Sequence, residues 1–380
     1  MNKIIVFSTD SYTDLTNEGK THFASMLDRL IINGDKVLFT AKYDSKVDVL
    51  KGINIDGKNI LFRNRNGVKA LLKQNEAKKH YFIVVGNREH DLFMASANKL
   101  FYIVPNWCSN FDERVLNYGV KVNNLSKLEK LINVIENQSK WFYRLDLDEK
   151  TTVLSLTNAN SFTTRSAEEK EMIDGFRSVL KYGDKQYYEV LLYHFLAAIS
   201  NNAEFREIND WAIFPSSGLN LNEDMWEFKE KARELMNGRK KQPILLRHTK
   251  TWKSHESYKY NKDRLPCDRH FDSIVINNIY KDKLEGRTIC VFDDYLTNGT
   301  SFEAARNLLI KEGAKKIFFV SLGKFHRNSS QQYLQQNYSI KGDVCSSGYS
   351  YRLLDSKWHK GSFDNEAITE IEQLHNIMFG

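Results

Sequence analysis

The chain has 380 residues, 41% of them hydrophobic and 12% aromatic, which predicts two domains with substantial apolar cores. Its net charge of +7 is mild, and its Lys and Arg residues are dispersed among 48 acids. This balance suits phosphorylated substrates and does not favour a nucleic-acid interface. The four cysteines are scattered and form no C-x-x-C pair, so neither a disulfide framework nor a zinc site is indicated.

The N-terminal segment MNKIIVFSTD lacks the apolar centre of a signal peptide and runs directly into a predicted strand. No apolar run approaches the roughly 18 residues of a transmembrane helix. We therefore expect a soluble cytoplasmic protein with no membrane partner.

Strands and helices alternate over residues 1–107. The four predicted strands are Lys3–Phe7, Lys36–Phe39, Asn59–Phe62 and Tyr81–Val85. Helical periodicity at Phe23–Leu30 and Val68–Lys73 separates the first two and the last two of them. Alternation of this kind predicts a doubly wound parallel sheet.

Polar residues follow three of these strands. Ser8 and Asp10 follow the first, Thr40 follows the second, and Asn87 and Asp91 follow the fourth. In this order they resemble the motifs of the haloacid dehalogenase (HAD) superfamily. The resemblance implies the following roles: acid/base for Asp10, phosphate-binding hydroxyl for Thr40, helix lysine for Lys69 and acidic metal ligand for Asp91.

Two positions depart from that pattern. The nucleophile position holds Ser8, and the first acidic position of the last motif holds Asn87. A phosphoaspartate route needs a carboxylate nucleophile beside Mg²⁺. We therefore predict that residues 1–160 form a HAD-like Rossmannoid domain that is catalytically degenerate. A HAD-type phosphatase remains an alternative.

A domain boundary is predicted in the polar segment 158–164. It follows an amphipathic helix at Leu125–Ile135 and a strand at Thr151–Leu156. Helical patterns resume at Ser166, where S-A-E-E resembles a capping box. A second domain is therefore predicted over residues 165–380.

A buried strand at Trp211–Phe214 leads into the small-residue loop Ser216, Ser217 and Gly218. Hydroxyls and backbone N–H groups in such a loop can bind pyrophosphate, although a plain Pro-Ser-Gly turn explains the residues equally. Further on, residues 241–270 contain eight Lys or Arg and three acids without clear periodicity. A long polar insert of this kind is usually functional.

The stretch Thr288–Phe319 has the most informative pattern in the chain. An apolar strand, Ile289–Phe292, is followed by Asp293 and Asp294. After them comes a polar loop, whose residues are Thr297, Asn298, Gly299, Thr300 and Ser301. The loop opens a helix that ends at Gly313, and a second apolar strand completes a βαβ unit. Donors at a helix N-terminus suit a phosphate monoester, and the carboxylates suit sugar hydroxyls.

This stretch resembles the 5-phosphoribosyl-1-pyrophosphate (PRPP) motif of type I phosphoribosyltransferases, with Asn298 at a usual Thr position. The segment Leu245–Thr251 resembles the start of the basic loop in the ComF-like branch. The resemblance implies PRPP with Mg²⁺, the metal held indirectly by Asp293 and Asp294. It also implies that Arg247 or Lys250 closes over pyrophosphate, and that both domains are doubly wound α/β folds.

Several alternatives stay open. The same fold could sense PRPP or a nucleotide without turnover, as a regulatory or stress-effector protein. Trp252, Tyr258 and Tyr260 interleave with the basic residues of the insert, which leaves a nucleic-acid patch as a less favoured interpretation. A homo-oligomer or a partner protein also stays open. The acceptor of the ribose 5-phosphate is not indicated by any motif.

Overall fold

The chain folds around two six-stranded sheets with helices packed against them. The computed structural model describes residues 2–51, 60–136, 138–162, 164, 166–182, 186–252, 263, 265–326 and 329–380. Within these ranges the predicted α/β class is confirmed. The predicted residue Asn59 and the insert residues Tyr258 and Tyr260 lie outside the described ranges.

The first sheet is parallel throughout, with strand order β3-β2-β1-β4-β5-β6. Its strands are β1 Ile4–Ser8, β2 Lys36–Ala41, β3 Ile60–Asn64, β4 Phe82–Val85, β5 Phe101–Pro105 and β6 Val120–Val122. The helices in this part are α1 Asp10–Thr13, α2 Asn17–Ile32, α3 Asp44–Lys51, α4 Arg65–Gln74, α5 Glu89–Ala97, α6 Glu113–Tyr118 and α7 Leu125–Ile135. The chain winds outward from β1 in both directions, so the doubly wound topology is confirmed here.

The remaining strands are β7 Tyr143–Asp148, β8 Thr151–Asn158, β9 Asp210–Ile213, β10 Leu245–Arg247, β11 Ile274–Ile276, β12 Thr288–Leu296, β13 Lys316–Lys324, β14 Tyr333–Lys341, β15 Ser350–His359 and β16 Ser362–Phe363. The remaining helices are α8 Ala167–Tyr182, α9 Gln186–Asn201, α10 Glu223–Leu235, α11 Thr300–Lys311 and α12 Glu366–Phe379.

The second sheet is mixed, with strand order β16-β7-β8-β13-β12-β9. The four strands from β8 to β9 are parallel to one another, whereas β7 and β16 join in antiparallel pairs. The second part of the chain is therefore not wound purely in parallel, in contrast to the prediction for it. Two antiparallel pairs, β10 with β11 and β14 with β15, stand apart from this sheet.

The chain passes from the first sheet to the second between β6 and β7. Strand β8 pairs in parallel with β13, Ile317 being opposite Thr151, and β7 pairs with β8. Both strands thus belong to the second sheet although they precede the predicted domain boundary at 158–164. Sequence periodicity identified the strand Thr151–Leu156 but carries no information on a pairing partner so distant in the chain.

Helix α9 packs against both sheets and joins their cores. On one side the Phe195 ring meets Phe292 of β12 edge-on at 5.2 Å and Trp211 of β9 at 6.3 Å between centroids. On the other, Leu196 lines the same small apolar gap as Tyr102 of β5. Because these side chains are almost completely buried, one continuous apolar core spans the two sheets.

None of the described helices is both long and apolar enough to cross a lipid bilayer.

The partly buried carboxyl of Glu370 links the C-terminal helix α12 to the segment between α7 and β7. Glu370 accepts hydrogen bonds from the backbone N–H groups of Ser139, at 3.4 Å, and Lys140, at 3.2 Å. Burial raises the pKa of Glu370 to about 7, and these N–H groups only partly oppose the rise. The Nδ1 atom of His194 lies 3.6 Å away, and burial lowers the pKa of that imidazole to about 4. The contact therefore joins a protonatable carboxyl to a neutral histidine.

We predict that Glu370→Gln gains stability relative to the unmodified protein as pH rises from 5 to 8. A carboxyl whose pKa is higher in the folded state, here about 7 against 4.5, stabilises the fold fully below the lower value and loses that effect through the upper one. The relative gain should reach on the order of 2 kcal/mol. Urea unfolding at each pH measures it. Glu366→Gln, on a 71% exposed side chain of the same helix, is the control, and matching pH profiles for both variants would contradict the assignment.

Candidate functional site

A cleft of about 720 Å³ opens at the carboxyl edge of the parallel strands β8, β13, β12 and β9. Because these strands run in the same direction, the residues that follow each of them meet at this edge. The cleft is lined by Asn160, Phe214–Ser217, Arg247, Trp252, Arg269, His270, Asp293–Phe302, Phe325 and His326. Most of the predicted phosphoribosyl residues thus lie around one cavity, contributed by separate segments of the chain.

Asp293 and Asp294 lie at the centre of the edge, within the last part of β12. Asp293 stands opposite Ser321 of β13, and its carboxylate accepts a hydrogen bond from the Asp294 N–H at 3.0 Å. The Asp294 carboxylate in turn accepts one from the Tyr295 N–H at 2.6 Å. Burial and the neighbouring Asp294 charge raise the pKa of Asp293 well above its ordinary value, and burial raises that of Asp294. The pair therefore favours ligands that donate hydrogen bonds or carry positive charge.

The loop of residues 297–301 turns sharply at Gly299 into the first turn of α11. Gly299 has φ +88°, and a Cβ atom on it would lie 2.4 Å from the Tyr333 ring. Only glycine fits this left-handed, closely packed position. Lys324 Nζ donates to the Thr297 carbonyl at 2.7 Å, and the Leu334 N–H donates to the Asn298 carbonyl at 2.9 Å. Lys324, Leu334 and Tyr333 thus hold the loop at three successive residues, 297 to 299.

A buried ion pair fixes the ring that supports this loop. The Tyr333 hydroxyl donates to Glu303 of α11 at 2.7 Å, and Arg306 donates to the same carboxylate at 2.6 Å. Burial raises the pKa of Glu303, and the Arg306 charge opposes the rise. Removing one partner of such a pair would leave an uncompensated buried charge, so the Tyr333 ring has little freedom to retreat from Gly299.

Arg247 braces the predicted pyrophosphate loop. Its guanidinium donates to the carbonyls of Ser216 and Pro215 and, at 2.6 Å, to the Ser273 hydroxyl. These acceptors are neutral, and burial together with the Arg269 charge lowers the Arg247 pKa to about 10, which Asp293 opposes. Arg247 is therefore a buried cation at the cleft wall and supports the loop from beneath.

The sequence prediction missed a second cation beside it. The Arg269 guanidinium lies over the Trp252 ring, 4.4 Å from its centroid, and its Nε lies 3.2 Å from His270 Nε2. Burial and both arginines lower the pKa of His270 well below its ordinary value. The excess of Lys and Arg over acids in residues 241–270 indicated a functional region. The sequence did not show, however, that the pairing of β10 with β11 brings Arg269 close to Arg247.

The opposite end of the cleft is aromatic. Phe325 and His326 directly follow β13, and the Phe325 ring lies 5.6 Å from that of Tyr295. His326 stacks on Phe363 at 4.0 Å, and its carbonyl accepts a hydrogen bond from the Asn160 amide at 2.7 Å. The strand-end rule that singled out Asp293 would have identified these residues as well.

Two predicted residues of this site do not line the cleft. Gly218 lies past the loop residues that do, and Lys250 is exposed on the surface. The insert residues 253–262 and 264 lie outside the described ranges, so a closing basic loop remains a prediction.

The predicted HAD-like residues gather at the carboxyl edge of the first sheet, except Lys69, which is exposed on α4. The Ser8 hydroxyl lies 3.4 Å from the Asn87 side-chain oxygen. Thr40 stands opposite Ser8 in the sheet, and its buried hydroxyl makes no hydrogen bond within the described ranges.

Two arginines form ion pairs with the two carboxylates at this edge of the sheet. Arg88 Nε donates to Asp10 at 3.2 Å, and Arg65 pairs with the buried Asp91 at 3.0 Å. Burial raises the pKa of Asp91, which Arg65 opposes. Each predicted acidic group therefore already has a protein cation beside it.

Among the described residues, no cluster of three or more His, Cys, Asp or Glu side chains could hold a metal ion by itself. Any metal at Asp293 and Asp294 would need further ligands from a substrate or from water.

Comparisons with protein-family models, with curated proteins and with solved structures gave no match to this chain.

We predict that Gly299→Ala lowers the free energy of unfolding by about 2 to 5 kcal/mol. Left-handed backbone costs an alanine about 1–2 kcal/mol, and the contact with Tyr333 adds about 1–3 kcal/mol. Gly286→Ala is the matched control, because Gly286 has φ +68° and open space around its Cβ position. Chemical denaturation of both variants separates the two costs. An equal loss in both would show that Tyr333 does not restrict the loop.

Proposed function

We propose that this chain binds PRPP in the cleft of the second sheet. The observation that supports the proposal is the combination of chemical groups that lines one cleft. The carboxylates Asp293 and Asp294 and, directly after them, the hydroxyl and amide donors of the loop at 297–301 lie at the end of β12, and Arg247 and Arg269 of the β10–β11 segment line the same cleft. A ligand that carries a phosphate, a diol and a diphosphate matches this combination.

In this proposal the loop binds the 5-phosphate. Residues 297–301 end at the N-terminus of α11, a helix of 12 residues, where backbone N–H groups and the helix dipole attract an anion. Thr300 and Ser301 add hydroxyl donors, and the left-handed Gly299 lets the backbone approach the ligand closely.

The ribose hydroxyls would bind to Asp293 and Asp294. Two adjacent carboxylates repel a phosphate but accept hydrogen bonds from a diol. The raised pKa of both groups indicates that the surrounding protein groups do not fully compensate their negative charge. Hydroxyl donors, or a cation on the ligand, would stabilise the negative charge of the two carboxylates.

The diphosphate would lie toward β9, where Ser217 offers a hydroxyl and Arg269 offers a guanidinium, whereas the Ser216 hydroxyl already donates to the Asn220 carbonyl. Arg247 contributes its charge from behind the loop, because its donors already hold the Ser216 and Pro215 carbonyls. Arginine forks suit phosphate oxygens better than single ammonium groups do.

Magnesium fits this donor set as a substrate-borne ion. Mg²⁺ is commonly held by one or two carboxylates together with substrate phosphates, and Asp293 and Asp294 provide the carboxylates. When bound, the ion would offset negative charge on the diphosphate.

The proposed reaction is a displacement at ribose C1. The bond from C1 to the diphosphate oxygen breaks with its electron pair, a bond from an acceptor lone pair forms on the opposite face, and the acceptor's proton passes to solvent. With the leaving group toward β9, the acceptor would approach from the side of Phe325 and His326. Arg269 would stabilise the negative charge that develops on the leaving group.

A second candidate is a PRPP or nucleotide sensor without turnover. It is favoured by the packing of α10, which follows the Ser216 loop and lies against α5 and α6 of the first sheet. Arg114 of α6 pairs with Glu234 of α10 across this contact and with Glu89 of α5 on its own side. Ligand binding could thus be transmitted to the first sheet. Release of pyrophosphate from PRPP on addition of nucleobases would favour the transferase, and tight binding without release would favour the sensor.

The phosphatase alternative is the least supported, because Ser8 and Asn87 replace carboxylates and arginines pair with those that remain.

We predict that Asp293→Asn combined with Asp294→Asn abolishes PRPP binding, with at least a hundredfold rise in Kd, while the protein stays folded. Neutral amides cannot offset the positive charge of Mg²⁺ on the ligand. Removing the two carboxylate charges also relieves their mutual repulsion in the free protein. Calorimetric titration with Mg²⁺ and PRPP measures the affinity, and circular dichroism checks folding. Asp282→Asn, on an exposed turn, is the control. Unchanged PRPP affinity in the double variant would refute the proposed site.

We also predict that Arg269→Gln weakens PRPP binding by at least about tenfold but leaves ribose 5-phosphate binding unchanged. The guanidinium would contact only the diphosphate, which ribose 5-phosphate lacks. Parallel titrations with both ligands measure the difference. Lys283→Gln, at an exposed position outside the cleft lining, serves as the control, and equal weakening of both ligands would remove Arg269 from the diphosphate subsite.

A further inference from the structure

The two outer edges of the β14–β15 ribbon differ in how their backbone groups are satisfied. On β14, the N–H groups of Leu334, Gln336 and Tyr338 donate to the Asn298 carbonyl, Glu303 and Asn307 respectively. The outer edge of β15 has no such cover from the described residues. One edge of the ribbon is therefore closed by the loop and by α11, and the other is open.

The open strand is also exposed on both faces. Residues 352–357 are all exposed, and they include Leu353 and Leu354, whose exposed fractions are 44% and 55%. A ten-residue strand with an unpaired edge and adjacent exposed leucines readily pairs with another strand. A register shift at Leu354 is the one irregularity in an otherwise continuous pairing with β14.

The central part of β15, residues 354–358, is complementary to itself in antiparallel register. If Ser356 lies opposite Ser356 of a second copy, Asp355 faces Lys357 of that copy, and the reverse contact forms by symmetry. In the same register Leu354 faces Trp358. Directly opposite residues share one face of a sheet, where opposite charges and apolar pairs stabilise the pairing.

We propose that β15 is a dimerisation strand, which joins two copies of this chain into a four-stranded antiparallel sheet about a two-fold axis at Ser356. The same patch meets itself, so the contact closes on two copies. Growth beyond a dimer is blocked, because the outer edges of the joined sheet would be the two β14 edges, which α11 already covers.

This arrangement would place the dimer contact next to the candidate ligand loop. The first residue of β14 is Tyr333, whose ring supports Gly299, and it pairs with His359 at the end of β15. A second copy on β15 would hold the ribbon that carries this ring. The dimer proposal itself is independent of which ligand the cleft binds.

The test is a charge exchange followed by sedimentation velocity across a concentration series. The unmodified chain should dimerise, and Asp355→Lys should raise the dimer Kd by at least about tenfold, because Lys then faces Lys twice. Combining Asp355→Lys with Lys357→Asp should restore the original Kd, since opposite charges face each other again. Arg352→Glu, a charge reversal outside the paired residues 354–358, should not weaken the dimer.

Two results would overturn the proposal. One is an unmodified chain that stays monomeric at its highest soluble concentration, which would leave the strand to a different partner or to solvent. The other is a dimer whose Kd is unaffected by Asp355→Lys or is not restored by the exchange, which would place the interface elsewhere. Thermal unfolding of each variant shows whether the ribbon itself is intact.

Discussion

Parallel pairing of β12 with both of its neighbours is the constraint on which the site depends. Phe292 stands beside Ile213 on one side and Val320 on the other, so all three strands end at one edge. Three polar segments far apart in sequence are thereby brought to a common cleft. The carboxylates and the donor loop follow β12, the Ser216 loop follows β9, and Phe325 and His326 follow β13, whereas Arg247 and Arg269 reach the cleft from the separate β10–β11 segment.

The ligand loop is supported by a part of the fold outside the sheet. Its glycine lies on Tyr333, which begins β14, and the buried Glu303 and Arg306 of α11 hold that ring in place. Helix, loop and ribbon therefore form one rigid unit around Gly299. Such support from below is what an anion site needs, since donors must stay in position when no ligand is present.

Local patterns could be predicted from the sequence, and distant pairings could not. The helix Leu125–Ile135 has the predicted bounds because its apolar residues repeat with the helical period. Asp293 and the residues of the following loop, which line the cleft, could be predicted because strand ends and helix starts have local sequence signals. The placement of β7 and β8 in the second sheet depends on β13, and that of Arg269 on the pairing of two short strands. Neither pairing has a local signature, and the register of the β14–β15 ribbon is equally non-local.

The packing of α9 has a consequence for how the chain matures on the ribosome. Translation delivers the first sheet, α9 and the nearby β9 well before β12. Until Phe292 emerges, the aromatic face of α9 around Phe195 has no β12 to cover it. Trp141, Trp211 and Phe228 contact Phe195 as well and are synthesised before β12, so the nascent protein lacks one partner of this aromatic cluster until β12 emerges, and partly exposed apolar surface of this kind is what chaperones commonly shield. Codon changes that slow translation between these elements would prolong that exposure and lower the soluble yield without altering a single amino acid.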